Sequence, residues 1–351
     1  MKLQKYNNSF DFVRFLAASA VLVSHHFPLS GKSEPVVPGF NNTLGGVAVS
    51  IFFVMSGFLI YQSLTRSNDI NDFIAARLLR IVPNLIFAVI LSSVVMLLWF
   101  DNYINIKYHI YYIFNNTFSF IQQPMNDIPG VLENRPNTSV NGSLWTLQFE
   151  FFMYILLFCV FLLRKELSIL SIIVLITIFL KFKFSGSQEN LRILTFQLNI
   201  YYLGLLGVFF FSGALIAAFW DILKIKFIFM TISSLIFTSV LLVTGNGETI
   251  IFYISFSVIL ICFCNTKLFS KFSKGGDASY GIYIYAFPIQ QLCIIVVPNF
   301  WVSMIVAFII TVAMGYATWH TFEARFLKFR KPFSQFILLM LRKPKVEVRS
   351  T

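Results

Sequence analysis

The hydrophobic positions of this chain gather in long apolar runs separated by short polar segments. Crossing ~30 Å of hydrocarbon takes about 20 helical residues, and a helix satisfies its own backbone hydrogen bonds where no water can. Ten runs are candidates, at approximately 12–29, 44–64, 81–100, 143–163, 167–182, 193–219, 225–243, 249–264, 279–297 and 300–320. The pattern predicts an all-α integral membrane protein of about ten transmembrane helices.

Arginine and lysine orient that bundle. With the N-terminus inside, segments 65–80, 164–166, 220–226, 265–278 and everything after 320 are cytoplasmic, and they hold most of the cations, as the positive-inside rule requires. Both termini are therefore expected in the cytoplasm. Segments 31–43, 101–142 and 244–248 fall outside and are mixed or slightly acidic, although Lys181 and Lys183 dissent. The outer stretch from Asp101 to Asn141 contains Pro124, Pro129 and Pro136, is too polar to span, and is expected to cover a site. Residues 1–327 read as one transmembrane domain and 328–351 as a basic cytoplasmic tail, whose apolar stretch Phe333 to Leu341 lies along the anionic inner leaflet. Met1 to Lys5 and the apolar run behind them resemble a signal peptide only superficially. Asp11 and Arg14 interrupt its start and no small-residue cleavage site follows, so the first helix is expected to be retained.

Composition sharpens the class. Of the residues, 57% are hydrophobic and 12% charged, against about 25% charged in a soluble domain, and the mean hydropathy is +0.77. The net charge of +12 does not point to nucleic acid, because the cations cluster between apolar runs rather than interleaving with exposed aromatics. Cys159, Cys262, Cys264 and Cys293 all lie in apolar runs without metal-ligand spacing and read as packing residues. No metal is expected.

Ionisable groups inside apolar spans are costly and usually face a cavity or a partner. The first span carries Asp11, Arg14, His25 and His26 in FDFVRFLAASAVLVSHH. Eleven steps of ~100° bring a helix back to within ~20° of the same face, about 16 Å further on, so Arg14 and His25 line one wall. A neutral imidazole there can act as a general base on a hydroxyl or carry an acyl group itself. A histidine bonded to a carbonyl at a helix end fits equally well, and His26 is an equal claimant. In SLWTLQFEFFMYILLF, Glu150 lies roughly two turns from the outer boundary, at a depth like that of His25. There it can orient the imidazole or bind a hydroxyl, or form a structural pair with an intramembrane cation. In FIAARLLRIVPNL, Arg77 and Arg80 form a cationic fork at the membrane surface. A fork suits phosphates, while positive-inside anchoring explains it equally. Ser56 and Gly57 in IFFVMSGFLIY permit close helix approach, and DASYGIYIYAFPIQQ adds the hydroxyls of Tyr280, Tyr283 and Tyr285 with a kink at Pro288. The following span ends in His320 and Glu323.

Taken in this order, the motifs resemble the acyltransferase-3 family of bacterial membrane acyltransferases, whose members O-acylate surface polysaccharides and other acceptors. The resemblance covers most of the chain. It rests on DFVRFLAA with Arg14 followed by ten residues and His25, on IFFVMSGFLIY, on RLLRIVP, on GSLWTLQFE with Trp145 and Glu150, and on SYGIYIYAFPIQQ from Ser279. Two positions depart. Many members carry paired acidic residues after the tryptophan and a histidine before the Phe-Pro of the ninth span, where this chain has Phe151 and Ala286. The second departure shifts the weight to His25.

The resemblance implies an acetyl-CoA-dependent O-acetyltransferase of the bacterial inner membrane, with acyl-CoA as co-substrate and no permanently bound cofactor. It implies catalytic roles for His25, Glu150 and Arg14, and phosphate contacts from Arg77, Arg80 and Arg14. Acceptor or oxyanion contacts fall to Asp11, Ser56, Trp145, Tyr280 and Tyr283. Its partners are a glycan or lipid-linked sugar, O-antigen among them, and membrane lipids, and a homo-oligomer is compatible with it. Some members add a fused extracytoplasmic esterase-like domain; this chain is expected to act alone or to pass its product on. A secondary transporter is the rival from another class, but no pair of matching halves is visible. A non-catalytic subunit handling a lipid-linked sugar is a second rival, and it would tolerate loss of His25.

Overall fold

Every expected span contains a helix. The structure is a computed structural model that describes residues 8–66, 70–245 and 249–341. In chain order, α1 (Phe10–Leu29) leads through a hairpin, β1 (Val36–Val37) and β2 (Asn42–Thr43), into α2 (Leu44–Arg66), α3 (Ile70–Trp99) and α4 (Ile106–Thr117). Then come α5 (Trp145–Phe161), α6 (Lys165–Ser185), a second hairpin of β3 (Asn190–Ile193) and β4 (Phe196–Asn199), α7 (Ile200–Ala218) and the short α8 (Trp220–Leu223). The chain finishes with α9 (Phe227–Val243), α10 (Ile250–Cys264), α11 (Ser279–Val296), α12 (Phe300–Thr318), α13 (Ala324–Phe326) and α14 (Arg330–Leu341). Among the described residues nine helical stretches are long and apolar enough to cross a membrane, and α10 is a shorter apolar helix. The protein is an all-α integral membrane protein. Lipid faces much of it: Ile228, Phe229, Ile232, Ile236 and Val240 of α9 are all exposed.

The described chain begins and ends at one end of the bundle. There Ser9 N donates to Cys264 O at 2.8 Å and Phe12 stacks on Phe269. At the opposite end Gln290 Nε2 of α11 donates to Leu22 O of α1 at 2.7 Å. We call these the Arg14 end and the His25 end.

Three boundaries differ from expectation. The sixth span does not start at 193: Phe196 and Leu198 point into the core while Gln197 and Asn199 point out, a period of two that makes a strand. The Asn199 side chain then caps α7 by accepting from Tyr202 N at 3.2 Å. The third span starts at Ile70, so the expected cytoplasmic loop 65–80 is mostly helix, and Arg77 and Arg80 sit two to three turns inside α3. The expected tail is partly docked, since α14 packs on α3 and Arg330 clasps Asp72 with Nε–Oδ1 at 2.7 Å and Nη2–Oδ2 at 2.5 Å. Residues 342–351 of that tail lie outside the described residues. Because the pair is about a third exposed, Asp72→Ala is expected to cost no more than about 1 kcal/mol, read as a melting shift of the detergent-held protein.

The Ser56–Gly57 pair serves close packing, as its small size suggested. A side-chain carbon on Gly57 would lie 1.8 Å from Phe210 O, and one on Gly213 would lie 2.1 Å from Val54 O, so α2 and α7 cross backbone to backbone. Gly57→Leu is expected to abolish the monodisperse gel-filtration peak.

The outer stretch after α3 is not structureless. Its helix α4 buries His109, Tyr112 and Asn116 while exposing Ile106, Ile110, Tyr111 and Phe114, the pattern of a helix lying in a membrane interface. Its last residues cover α11, where Gln291 Nε2 donates to Asn137 O and Ser139 O, and Asn141 Nδ2 to Ile284 O at 2.8 Å. Lys183, which dissented from the charge rule, is buried with its ammonium 5.8 Å from the Tyr253 ring. Three of the four cysteines are buried and Cys159 is exposed.

Candidate active site

At the Arg14 end, four elements bring alternating charges together. Arg14 of α1 pairs with Asp11 one turn earlier, Nη1–Oδ1 2.9 Å, and with Asp277 from the loop before α11. Arg80 of α3 reaches Asp277 Oδ2 at 2.7 Å and Glu323 Oε2 at 2.8 Å. A π-helical turn, Trp319–Glu323, extends α12 and brings the almost fully buried Glu323 into the bundle and Trp319 within 4.9 Å of the Arg80 guanidinium. Asn84 Nδ2 donates to Glu323 Oε1 at 2.8 Å, and Tyr285 donates to Asn84 Oδ1 at 2.7 Å. Gly276 permits the approach: its φ is +92°, and a side-chain carbon there would lie 1.9 Å from Trp319 Nε1. Burial would raise the Asp277 carboxyl, but Arg14, Arg80 and the hydroxyl and N–H of Ser279 outweigh it and hold the group at about 2.

The expected fork is therefore split. Arg80 spends its guanidinium on two carboxylates, whereas Arg77 forms no ion pair among the described residues, and its buried Nε has no hydrogen-bond partner. Its electrostatic neighbours are Tyr154 and Glu150. A guanidinium is never neutral in practice, so Arg77 is a half-buried cation whose guanidinium lies 6.0 Å from the Phe73 ring and has no ion-pair partner among the described residues. Arg80 is 20% exposed.

Glu150 lies between helices. Its Oε1 accepts from Ser56 Oγ of α2 at 3.0 Å and from the hydroxyl of Tyr154 one turn on. These bonds, rather than a contact with His25, are what hold it. The other expected hydroxyls are also engaged: Tyr280 donates to Ile81 O at 3.1 Å, and Tyr283 pairs with Thr146 at 2.8 Å. Asp11 stands with Arg14, at the end of α1 away from His25. Trp145 packs edge-on against Tyr202, with ring centres 4.9 Å apart, near the start of α5.

At the other end the structure distinguishes the two histidines. His26 is fully buried, with Nε2 at 2.9 Å from Ser303 Oγ and Nδ1 at 3.2 Å from Gln290 Nε2. A ring with both nitrogens bonded is a packing element. His25 is half-buried, meets the Phe287 ring edge-on at 5.7 Å, and makes no side-chain hydrogen bond among the described residues. Beside it stands a carboxylate absent from the sequence reading. Glu34, in the loop after α1, accepts from Ser24 Oγ at 2.5 Å; Ser24 in turn accepts from Gly45 N at 2.8 Å. Glu34 is thus tied to the residue preceding His25 and is its charged neighbour. The signal for Glu34 and Asp277 was scarcity, since the whole chain has only 15 acidic residues. Nothing local told which of them turn inward.

The arrangement places a half-buried imidazole with a carboxylate as its charged neighbour at one end, and, toward the other, a guanidinium without an ion-pair partner among the described residues. A family model for an acyltransferase domain matches residues 7–320. An O-acetyl transferase of Shigella phage Sf6 is 34% identical over 335 residues, 93% of this chain and 98% of its own. Nodulation protein 10 of Rhizobium leguminosarum bv. viciae is 27% identical over 167 residues, 43% of each chain. No solved structure matches.

Proposed function

This chain belongs to the acyltransferase-3 family, and on that premise we propose that it moves an acetyl or other short acyl group from cytoplasmic acyl-CoA to a hydroxyl of a surface glycan or its lipid-linked precursor. The membrane would be the bacterial inner membrane. The observation that carries the reading is the free imidazole of His25 beside the fully bonded His26, in a chain similar along nearly its whole length to an O-acetyl transferase.

The donor enters at the Arg14 end. Arg77, charged and unmatched, receives a phosphate of acyl-CoA, while the Arg14–Asp277–Arg80–Glu323 chain frames the opening and holds α1, α3, α11 and α12 in register. Arg14 and Arg80 are thus positioning residues, with their charge already balanced. The thioester arm runs between the helices past Ser56, Glu150 and Tyr154 toward His25, a distance comparable with the ~16 Å rise from Arg14 to His25 along α1.

The acceptor arrives at the His25 end. The His25 imidazole takes the proton of its hydroxyl as that oxygen attacks the thioester carbonyl. The carbon–sulfur bond breaks, the imidazolium returns the proton to the leaving thiolate, and ester and free CoA thiol result. Glu34 stabilises the imidazolium while it exists.

Purified protein in nanodiscs tests the reading. Given radiolabelled acetyl-CoA and glycan stripped of its esters, it is expected to release free thiol in step with base-labile label on the glycan. Thioester left intact while a candidate solute crosses the bilayer would instead establish a carrier.

A further inference from the structure

At the His25 end a second feature lies on the far side of α5. A cleft of about 170 Å³ opens between the start of α5, the β3–β4 hairpin, the start of α7 and the segment around Pro124. Its lining holds no charged residue. Four of its amides, Gln123, Asn126, Asn190 and Gln197, make no side-chain hydrogen bond among the described residues, and they project from both walls. A fifth, Gln148, is buried and joins the walls by accepting from Gln197 N at 3.3 Å. Trp145 and Tyr202, their rings inclined at 61° to each other, supply aromatic surface.

The lining defines its ligand. Amides present donor and acceptor together, which matches hydroxyl groups, themselves both donor and acceptor. Unspent amides across an uncharged cleft select a neutral, many-hydroxyl molecule over an anion or a cation, and the aromatic faces suit its C–H surface. The volume is below the ~300–1,000 Å³ of sites that enclose a drug-sized ligand, so the cleft takes one ring of a longer chain.

We propose that this cleft binds a neutral sugar of the acceptor glycan that flanks, rather than receives, the acyl group. The inference rests on the acyltransferase reading. Position separates the two sites. Trp145, Gln148 and Phe149 face the cleft, whereas Gly142 and Thr146 face α11, where a side-chain carbon on Gly142 would lie 2.7 Å from the Phe287 ring that meets His25. One helix, about 10 Å across, stands between the cleft and the base, so a glycan passing over the start of α5 occupies both. The cleft thereby sets which glycan is held and for how long, without touching the reacting atoms.

The probe is the surface glycan of the cells that carry this chain, freed of esters by mild base and cut either to long pieces or to single sugars. Gln197→Ala with Gln123→Ala, both at partly or fully exposed positions on opposite walls, is expected to raise KM for long pieces about tenfold. The same double variant should leave kcat, KM for acetyl-CoA and KM for single sugars within about twofold. Asn190→Ala with Asn126→Ala repeats the test on other side chains. Saturation-transfer NMR reads binding separately from turnover, with contact to the long glycan lost in the variants. An unchanged KM for long pieces in both double variants overturns the subsite while leaving the transferase intact. Failure of the wild type to use acetyl-CoA at all strikes the parent reading, and the NMR binding result then decides the cleft by itself.

Discussion

Replacing His25 by alanine is expected to lower acyl transfer roughly 100- to 10,000-fold, the range that a positioned acid–base group contributes, in a protein that still folds. The fold should survive because the His25 ring is only half-buried and has no hydrogen bond to break among the described residues. His26→Ala should do the reverse. It takes one hydrogen bond each from the Ser303 hydroxyl, which still donates to Phe300 O, and the Gln290 amide, which still donates to Leu22 O, at about 1 kcal/mol per bond lost, and it empties a fully buried ring site, so yield and thermal stability fall while transfer per folded molecule persists. Glu34→Gln keeps the shape and removes the charge beside His25, and its loss should lie between these two. The measurement is a rate of label transfer normalised to the monodisperse gel-filtration peak, paired with a melting curve.

Asp277→Ala is expected to produce the largest loss of stability, about 3 kcal/mol, the low end of the range for breaking a buried ion pair, because Arg14 and Arg80 each lose a shared carboxylate and keep one other, Asp11 or Glu323. Two guanidinium groups, 23% and 20% exposed, converge on this carboxylate, and α1, α3 and α11 meet there. Asp277→Asn should be milder, as the amide keeps some hydrogen bonds to the arginines. The pH dependence has a fixed sign. The carboxyl is held at about 2, below its ordinary value of 3.8, so its contribution is complete above the ordinary value and disappears as pH falls through about 2. A melting series in detergent from pH 7 to pH 4 should therefore show no loss attributable to Asp277 in the wild type. The Asp277→Ala deficit should be constant across that range.

The bundle was legible because a lipid solvent demands long apolar helices, and the runs show them directly. The β3–β4 hairpin was hidden because Phe196-Gln197-Leu198-Asn199 is too short an alternation to stand out beside the apolar run of α7. The start of α3 was hidden for the opposite reason: Asn71, Asp72, Arg77 and Arg80 read as a polar loop, yet Asp72 is clasped by Arg330 of α14 and Arg80 by Asp277 and Glu323. At the site, the rotation of α1 that places Arg14 and His25 on one wall follows from spacing alone. The choice between His25 and His26 does not, since neighbouring positions differ by ~100° and only the partners Ser303 and Gln290, from distant helices, identify His26 as the bonded one. The same holds for the Arg14–Asp277 pair, whose members are 263 positions apart. Spacing gave Arg77 and Arg80 a shared face and could not say that one of them was already spent.

In the proposed reaction, donor and acceptor approach opposite ends of one bundle and meet at His25. Sidedness in proteoliposomes tests it most directly. The de-esterified glycan is sealed inside, radiolabelled acetyl-CoA is added outside, and vesicles are sorted by which end of the protein faces out. Ester label on the enclosed glycan only in vesicles with the Arg14 end outward, and none with His25→Ala, is the predicted result. Label that forms only when acetyl-CoA and glycan share a compartment would contradict it.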